Sequence, residues 1–357
     1  MPLQIGRFVN KLSKNDDISP EHQVAKIFEW RRGFNVTYLI SLGIDLGLFK
    51  YLAQTPASTP QQIAQSLSLH YPYIETWCKT AFAVGILETE NCSNYILADH
   101  FDKILANDTN PRYLGGYVKL GVDFAAKDFK FSIEAYRTGA KVPFQNRSES
   151  FAETVGIAVS GLHALTTHKL LPGLNGFNKK LERGCKILDV GCGTGKLVFQ
   201  IAKKWRNANV IGVDIDKKGL SIAEKQLVKS DLKTNVEFVE GDIPAAGKPN
   251  SFDVITMIEV LHEISPKIRQ KVLNNCYRLL KKEGWLLIVD ETYPSKTEDF
   301  RKKEYQFPIQ TAFEELTWGN ILPTAEAQEK LIKSAGFKTK INRNIIGEGF
   351  TILEVQK

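Results

Sequence analysis

The chain is 357 residues long, 43% hydrophobic, and carries a net charge of +7; two domains are expected, each able to bury a core, and no apolar run approaches the roughly 20 residues of a membrane span. Met1-Pro-Leu-Gln-Ile-Gly-Arg7 lacks the apolar core of a secretory signal, and the five cysteines (Cys78, Cys92, Cys185, Cys192, Cys276) are odd in number and never spaced Cys-x-x-Cys, so a reduced cytoplasmic chain without disulfides or zinc is expected. Residues 1–150 hold 16 Lys+Arg against 15 Asp+Glu, leaving 31 against 25 for the rest, and with no basic stripe a nucleic-acid partner is not expected.

The first part follows the helical period, through Val24-Ala-Lys-Ile-Phe-Glu-Trp30 and then Val36 to Phe49. Thr59 or Ser58 caps a helix with Pro60 in its first turn, a second helix runs from about Tyr71 to Val84, and Gly85 to Leu97 reads as a β-hairpin turning at Glu90–Asn94. Three helices and a wing make a winged helix. Such a domain can read DNA, but its second helix offers one lysine, Lys79, and no arginine for phosphate contact. With an apolar helix ahead of it and the phrase Phe82-Ala-Val-Gly-Ile-Leu-Glu88, the segment resembles the N-terminal dimerisation domain of small-molecule O-methyltransferases. The resemblance implies a homodimer and a cover for a substrate pocket.

Residues 111–180 are dense in aromatics: Tyr113, Tyr117, Phe124, Phe129, Phe131, Tyr136, Phe144 and Phe151. Most should be core, and a minority should wall a pocket for a flat organic substrate. His163 and His168, five apart on a helix, point about 140° apart and cannot share a metal from one face. No metal is expected.

From Lys186 strands and helices alternate, the pattern of a parallel sheet covered on both faces. Ile187, Leu188 and Val190 form a buried strand. Asp189-Val-Gly191-Cys192-Gly193-Thr194-Gly195 then lets the chain turn sharply beneath a ligand before a helix starts near Lys196. Nineteen residues after Gly195, Asp214 ends the next strand, followed by Ile215, where a carboxylate can accept from both ribose hydroxyls. A dinucleotide fingerprint wants G-x-G-x-x-G, but the third glycine arrives one residue early. The pattern instead resembles motif I of class I S-adenosylmethionine-dependent methyltransferases. That resemblance implies S-adenosyl-L-methionine as cofactor, with S-adenosyl-L-homocysteine as product, and Asp189 near the methionine amino group.

A third strand, Val236 to Ile243, ends in the pair Asp242 and Ile243, which in that family sit beside adenine. Ser251 to Ile258 is the fourth strand, and Glu259-Val-Leu-His262 follows at its carboxyl end, where open α/β sheets gather their ligands, so Glu259 is a candidate cofactor-binding residue. Neither a Pro-Pro-aromatic nor a Pro-Cys motif stands there, so a nucleobase acceptor is not expected. The run Val260 to Asp290 resembles that of plant and bacterial small-molecule O-methyltransferases, whose matching histidine is the general base. His262 is therefore the candidate base for a substrate hydroxyl. Asp290, at the end of a fifth strand from Trp285 to Val289, could orient it, with Glu291 the adjacent alternative. A second acidic residue that the plant enzymes place before a late helix falls here on Leu322, which leaves the histidine's carboxylate support in doubt.

Tyr305 to Trp318 reads as an irregular apolar lid or as packing. Thr324 caps a helix ending at Gly336, and Lys338–Asn342 with Gly349–Val355 reads as a terminal hairpin. The expected fold is a Rossmann-like α/β sheet of seven strands, the last antiparallel, behind a mainly helical winged-helix domain. Its parts are residues 1–110, a pocket segment 111–180, and the cofactor domain 181–357. The function expected is methyl transfer to a small organic acceptor, O-methylation ahead of C- or N-methylation. The rivals are a winged-helix regulator with a cofactor-sensing domain and a nucleotide-dependent oxidoreductase.

Overall fold

A computed structural model describes residues 19–142 and 147–357; Met1–Arg7 and Phe144, on which two sequence readings fall, lie outside the described residues. The chain divides into two compact units between Asp102 and Lys103.

In the first unit α1 (Pro20–Asp45) starts at Ser19, whose hydroxyl accepts from the His22 backbone N–H, with Pro20 in the first turn. Helix α2 (Leu48–Gln54) follows the left-handed Gly47. Thr59, not Ser58, caps α3 (Pro60–Ser66): its hydroxyl accepts from Gln62 N at 3.1 Å while the Gln62 side chain accepts from Thr59 N at 2.8 Å. Helix α4 (Tyr71–Ala83) is anchored on α1 by Trp77, whose indole N–H donates to the Leu39 carbonyl at 3.0 Å, and the wing is the two-residue strands β1 (Leu87–Glu88) and β2 (Ile96–Leu97). Leu48, Phe49, Ile63, Trp77, Leu87 and Tyr95 fill the core.

In the second unit, seven strands form one sheet in the order β5-β4-β3-β6-β7-β9-β8. These are β3 (Lys186–Val190), β4 (Asn209–Asp214), β5 (Val236–Glu240), β6 (Phe252–Ile258), β7 (Leu280–Glu291), β8 (Asn342–Ile346) and β9 (Phe350–Gln356). The first five are mutually parallel, and the last, β9, runs antiparallel between β7 and β8. Helices numbered onward from the first unit are α5 (Ala126–Thr138), α6 (Glu149–Ala158), α7 (Lys196–Lys204), α8 (Lys217–Val228), α9 (Arg269–Leu279), α10 (Lys303–Glu314) and α11 (Ala325–Ser334). Both sheet faces are covered. Ile187, Val254 and Leu287 join one core and Leu188, Ile255 and Leu286 the other, which is why β3 and β6 read as unbroken apolar runs.

Four elements depart from the sequence reading, the first being the third strand, which stops at Glu240 so that Asp242 and Ile243 lie beyond it, at the start of a 3-10 turn. The fifth strand is longer than Trp285–Val289, because Leu280 already pairs with Phe252; residues 281–284 then bulge, with Glu283 left-handed, before Trp285 pairs with Val254. The terminal hairpin sits later, since Gly347 and Gly349 form its turn and Ile346 pairs with Phe350. Residues 303–314 are helical rather than irregular, even across Pro308, and a short 3-10 turn carries on to Trp318. No single helix among the described residues is long and apolar enough to cross a membrane; α1 and α2 taken together, bent by 67°, are the one pair with that length and composition.

Candidate active site

From β3 the chain runs outward through β4 to β5 and then crosses to β6 on the other side of β3, so the strand order reverses there and a crevice opens at the carboxyl ends of the strands. A cavity of about 770 Å³ occupies that crevice. Its walls come from the turn after β3, the ends of β4 and β6, helix α6, and the far end of α10.

On one side lie Gly191, Cys192, Gly193 and Thr194. Gly191 has φ 70°, and a Cβ there would stand 2.5 Å from Val260, so both the turn and the packing of the loop on β6 demand glycine. Asp214 secures the same loop: its Oδ2 accepts from Gly193 N at 2.7 Å and its Oδ1 from Asp216 N at 2.8 Å. Burial pushes the Asp214 carboxyl up, and those backbone bonds oppose the shift. Ile215, Asp242, Ile243 and Glu259 line the cavity with it. Asp189 and Gly195 do not. Asp189 is buried under the loop, its Oδ1 accepting from Thr256 Oγ1 at 2.7 Å, and burial pushes its carboxyl up to about 7. Gly195, with φ 75°, packs against Phe238 at the start of α7.

On the other side stands His262, 2% exposed. Its Nδ1 lies 2.9 Å from Asp290 Oδ1, and its Nε2 lies 3.3 Å from Glu315 Oε2. Burial alone would lower the imidazole pKa, but Asp290 and Glu315 together hold it well above the ordinary histidine value. Asp290 does not line the cavity; it stands behind the imidazole, and its Oδ2 also accepts from Leu261 N at 2.7 Å. Arg269 clamps the loop, donating to the carbonyls of His262 (2.8 Å), Ile264 (2.7 Å) and Ile321. The histidine is fixed from both its ring and its backbone.

The second carboxylate is thus present, though Leu322 occupies the position where the sequence comparison sought it. Glu315 supplies it from the turn that follows α10, a different element, and no local motif marks it. Glu291 lines the cavity beside them with its Oε1 accepting from Thr311 Oγ1 at 3.0 Å. Burial pushes the Glu291 and Glu263 carboxyls up to about 8 and that of Glu314 to about 7.

Of the aromatics in 111–180, Tyr117 reaches the cavity, meeting Phe307 edge to face at 5.9 Å, whereas Phe151 is fully buried against Phe124 and Trp318. Trp318 is a wall residue held by Asp128, which accepts from its indole N–H at 2.8 Å and pairs with Arg147. His163 lines the cavity with burial lowering its pKa to about 3, while His168 lies 3.1 Å from Lys204 Nζ. Among the described residues no group of side chains is arranged to hold a metal ion.

Residues 181–334 match a methyltransferase domain family, and residues 35–107 match the Rv2258c-like winged helix-turn-helix domain. Among curated proteins, the ubiquinone biosynthesis O-methyltransferase of Thiobacillus denitrificans is 37% identical over 103 residues, which is 29% of this chain and 43% of that protein. The demethylmenaquinone methyltransferase of Lactobacillus johnsonii is 27% identical over 51% of this chain and 83% of its own length. The chain therefore spans under half the length of the first of these relatives. Two solved structures share the fold across the whole chain. Human N-acetylserotonin methyltransferase in complex with SAM superposes with TM-score 0.74 at 18% identity, covering 96% of this chain and 99% of that one. An O-methyltransferase family protein from Burkholderia thailandensis gives TM-score 0.71 at 18% identity, covering 94% and 98%.

Proposed function

Because the chain joins a methyltransferase domain to a winged helix-turn-helix domain, we propose that it is an S-adenosylmethionine-dependent methyltransferase acting on the hydroxyl of a small organic acceptor. The observation that carries this reading is one cavity lined both by the Gly191–Thr194 turn with Asp214 and by His262 between two carboxylates. Gly191, Gly193 and Asp214 would hold the nucleoside and methionine parts of the cofactor, Asp242 and Ile243 its adenine. The fit rests on the loop itself: Gly191 and Gly193 have φ of 70° and 49°, and a Cβ on Gly193 would meet nothing within 4 Å, leaving room for a ligand over the backbone. Bound there, S-adenosylmethionine supplies a methyl group made electrophilic by the sulfonium.

His262 serves the acceptor. Its Nδ1–H donates to Asp290, which fixes the tautomer, and its Nε2 faces the cavity beside Glu315. Asp290 and Glu315 favour the protonated ring, so His262 acts as a base once Nε2 has given up its proton to solvent, and Glu315 lies 3.3 Å from that nitrogen. A hydroxyl acceptor bound beside Nε2 can then be deprotonated as its oxygen attacks. Holding the acceptor oxygen in line with the methyl is the larger share of the task, and the rigid clamp of Arg269 on this loop serves it.

Calorimetric titration with S-adenosylmethionine, S-adenosylhomocysteine and NAD tests the cofactor assignment. Binding of the first two without NAD is expected; failure of both to bind refutes the assignment, and NAD binding supports an oxidoreductase instead.

The first unit is read as a homodimer interface. Val24, Ile27, Phe28, Phe34, Tyr38, Leu42 and Leu46 form one exposed apolar stripe along α1, a larger run than a monomeric surface usually leaves in water. Nucleic acid is the poorer partner, since the lysine of α4, Lys79, is already 3.0 Å from Glu75. Sedimentation should find a dimer that F28E/Y38E converts to monomer. A wild-type monomer at tens of micromolar would overturn the interface.

A further inference from the structure

The cavity holds carboxyl groups that the proton transfer does not use. Glu291, the last residue of β7, is 2% exposed, and while Thr311 satisfies its Oε1, its Oε2 is buried with no hydrogen-bond partner among the described residues. Glu259, just after β6, is held in left-handed backbone at φ 57°, and its Oε1 is likewise buried without a partner. Both residues line the cavity. A non-glycine residue keeps such a backbone only where its surroundings over-determine it, and such residues cluster at functional sites.

The two groups belong to one neighbourhood. Burial and then the charge of Glu291 push the Glu259 carboxyl well up, and Tyr117 is raised by burial and by Glu259, Glu291 and Glu315 in turn. Tyr117 lines the same cavity as these acids, and Phe307 meets it edge to face. Glu263, Glu314 and Glu315 add further acid to the same walls, and the imidazole of His262, which opposes the rise of the Glu259 and Glu291 carboxyls, bonds to neither of them and lies between Asp290 and Glu315. Lys141 and Lys271 also line the cavity, but neither forms an ion pair with Glu259 or Glu291 among the described residues. Burial and neighbouring acids push both carboxyls up, so a cationic donor, which draws them into the ionised, accepting form, satisfies these oxygens better than a neutral donor does.

We propose that Glu259 and Glu291 form a receptor for a basic nitrogen of the acceptor, so that the substrate class is a flat aromatic compound bearing both a hydroxyl and an amine, its ring lying along Tyr117 and Phe307. This rests on the methyltransferase reading of the cavity and adds to it the chemistry that chooses the recipient. The hydroxyl end belongs at His262 and the ammonium end at the two glutamates.

The test loads the protein with S-adenosylhomocysteine and titrates three phenols that differ in one substituent: tyramine, 4-ethylphenol and 4-hydroxyacetophenone. Tyramine should bind about tenfold more tightly than 4-ethylphenol, the effect expected of one charge-assisted hydrogen bond in a buried site. E291Q and E259Q should each bring that ratio towards one while 4-ethylphenol binding changes little. Preferential binding of the ketone would mean that the acids act as neutral donors, and it would overturn the proposal. So would equal binding of all three phenols, no binding of tyramine, or a preference that survives both substitutions. The wild-type comparison stands even if a variant misfolds, and failure to bind S-adenosylhomocysteine would instead sink the methyltransferase reading.

Discussion

Replacing His262 with asparagine is expected to cut turnover of a hydroxyl acceptor by roughly 10²-fold or more while leaving cofactor affinity intact. The cofactor half of the cavity is built from β3, β4 and the Asp242 turn, none of which hydrogen-bonds the imidazole, so binding and chemistry separate cleanly. The pH dependence gives a second readout. Asp290 and Glu315 overcome the effect of burial and hold the imidazole pKa well above its usual value, so the rate should climb with pH into the alkaline range as the ring loses its proton. E315Q removes one of those two charges and should move that rise to lower pH. Stability follows the opposite course. A group whose pKa is raised on folding contributes fully below its unfolded value of about 6.5 and loses that contribution as pH rises through the folded value. The stability gap between wild type and H262N is therefore widest in acid and narrows in alkali. An unchanged rate for H262N would remove the residue from the mechanism and leave it as a wall of the pocket.

Asp290→Ala should be the most destabilising substitution in the site, by about 3–5 kcal/mol, because it strips the partner from a buried charged network. The side chain is fully buried, and its two oxygens accept four bonds: from Leu261 N at 2.7 Å, His262 N at 3.3 Å, Glu291 N at 2.7 Å and His262 Nδ1 at 2.9 Å. Alanine would strand three backbone N–H groups and a protonated imidazole away from water. Asparagine keeps one oxygen for the backbone but must turn its amide hydrogens towards another donor, so D290N should lose less stability and still lose most of the turnover. Urea unfolding of the three proteins measures the first effect. A loss under about 1 kcal/mol for D290A would mean that water reaches the network.

The donor half of the site was legible because its chemistry is local. A tight turn needing left-handed backbone writes glycine at fixed spacing, and an acid at the next strand tip follows from strand and helix length; Gly191, Gly193, Asp214, Asp242 and Ile243 all line one cavity. His262 could be placed from topology alone, since it follows a strand whose carboxyl end faces the crevice. Glu315 could not. It reaches the imidazole from the turn after α10, a segment that read as irregular because Pro308 interrupts the helical pattern, although the helix continues past it. Asp189 is a different case, for the motif marks the residue but not the partner its carboxylate takes. Thr256 of the neighbouring strand draws it beneath the loop. In the first unit the choice between Ser58 and Thr59 as cap depended on which hydroxyl the turn leaves free, and Ser58 is spent on the Thr55 carbonyl at 2.7 Å.

Helix α6 contributes Ala152, Val155, Gly156 and Ala158 to the cavity wall, and a Cβ on Gly156 would stand 2.7 Å from the Thr194 hydroxyl. At Gly156 the helix therefore packs directly on the turn after β3, with no room for a side chain. Enlarging residue 156 cannot reshape the cavity without pressing on Thr194 of the glycine turn. Altered recipient preference with donor binding preserved is thus open mainly to the opposite wall, where Phe307, Gln310, Thr311 and Glu314 stand on a separate helix.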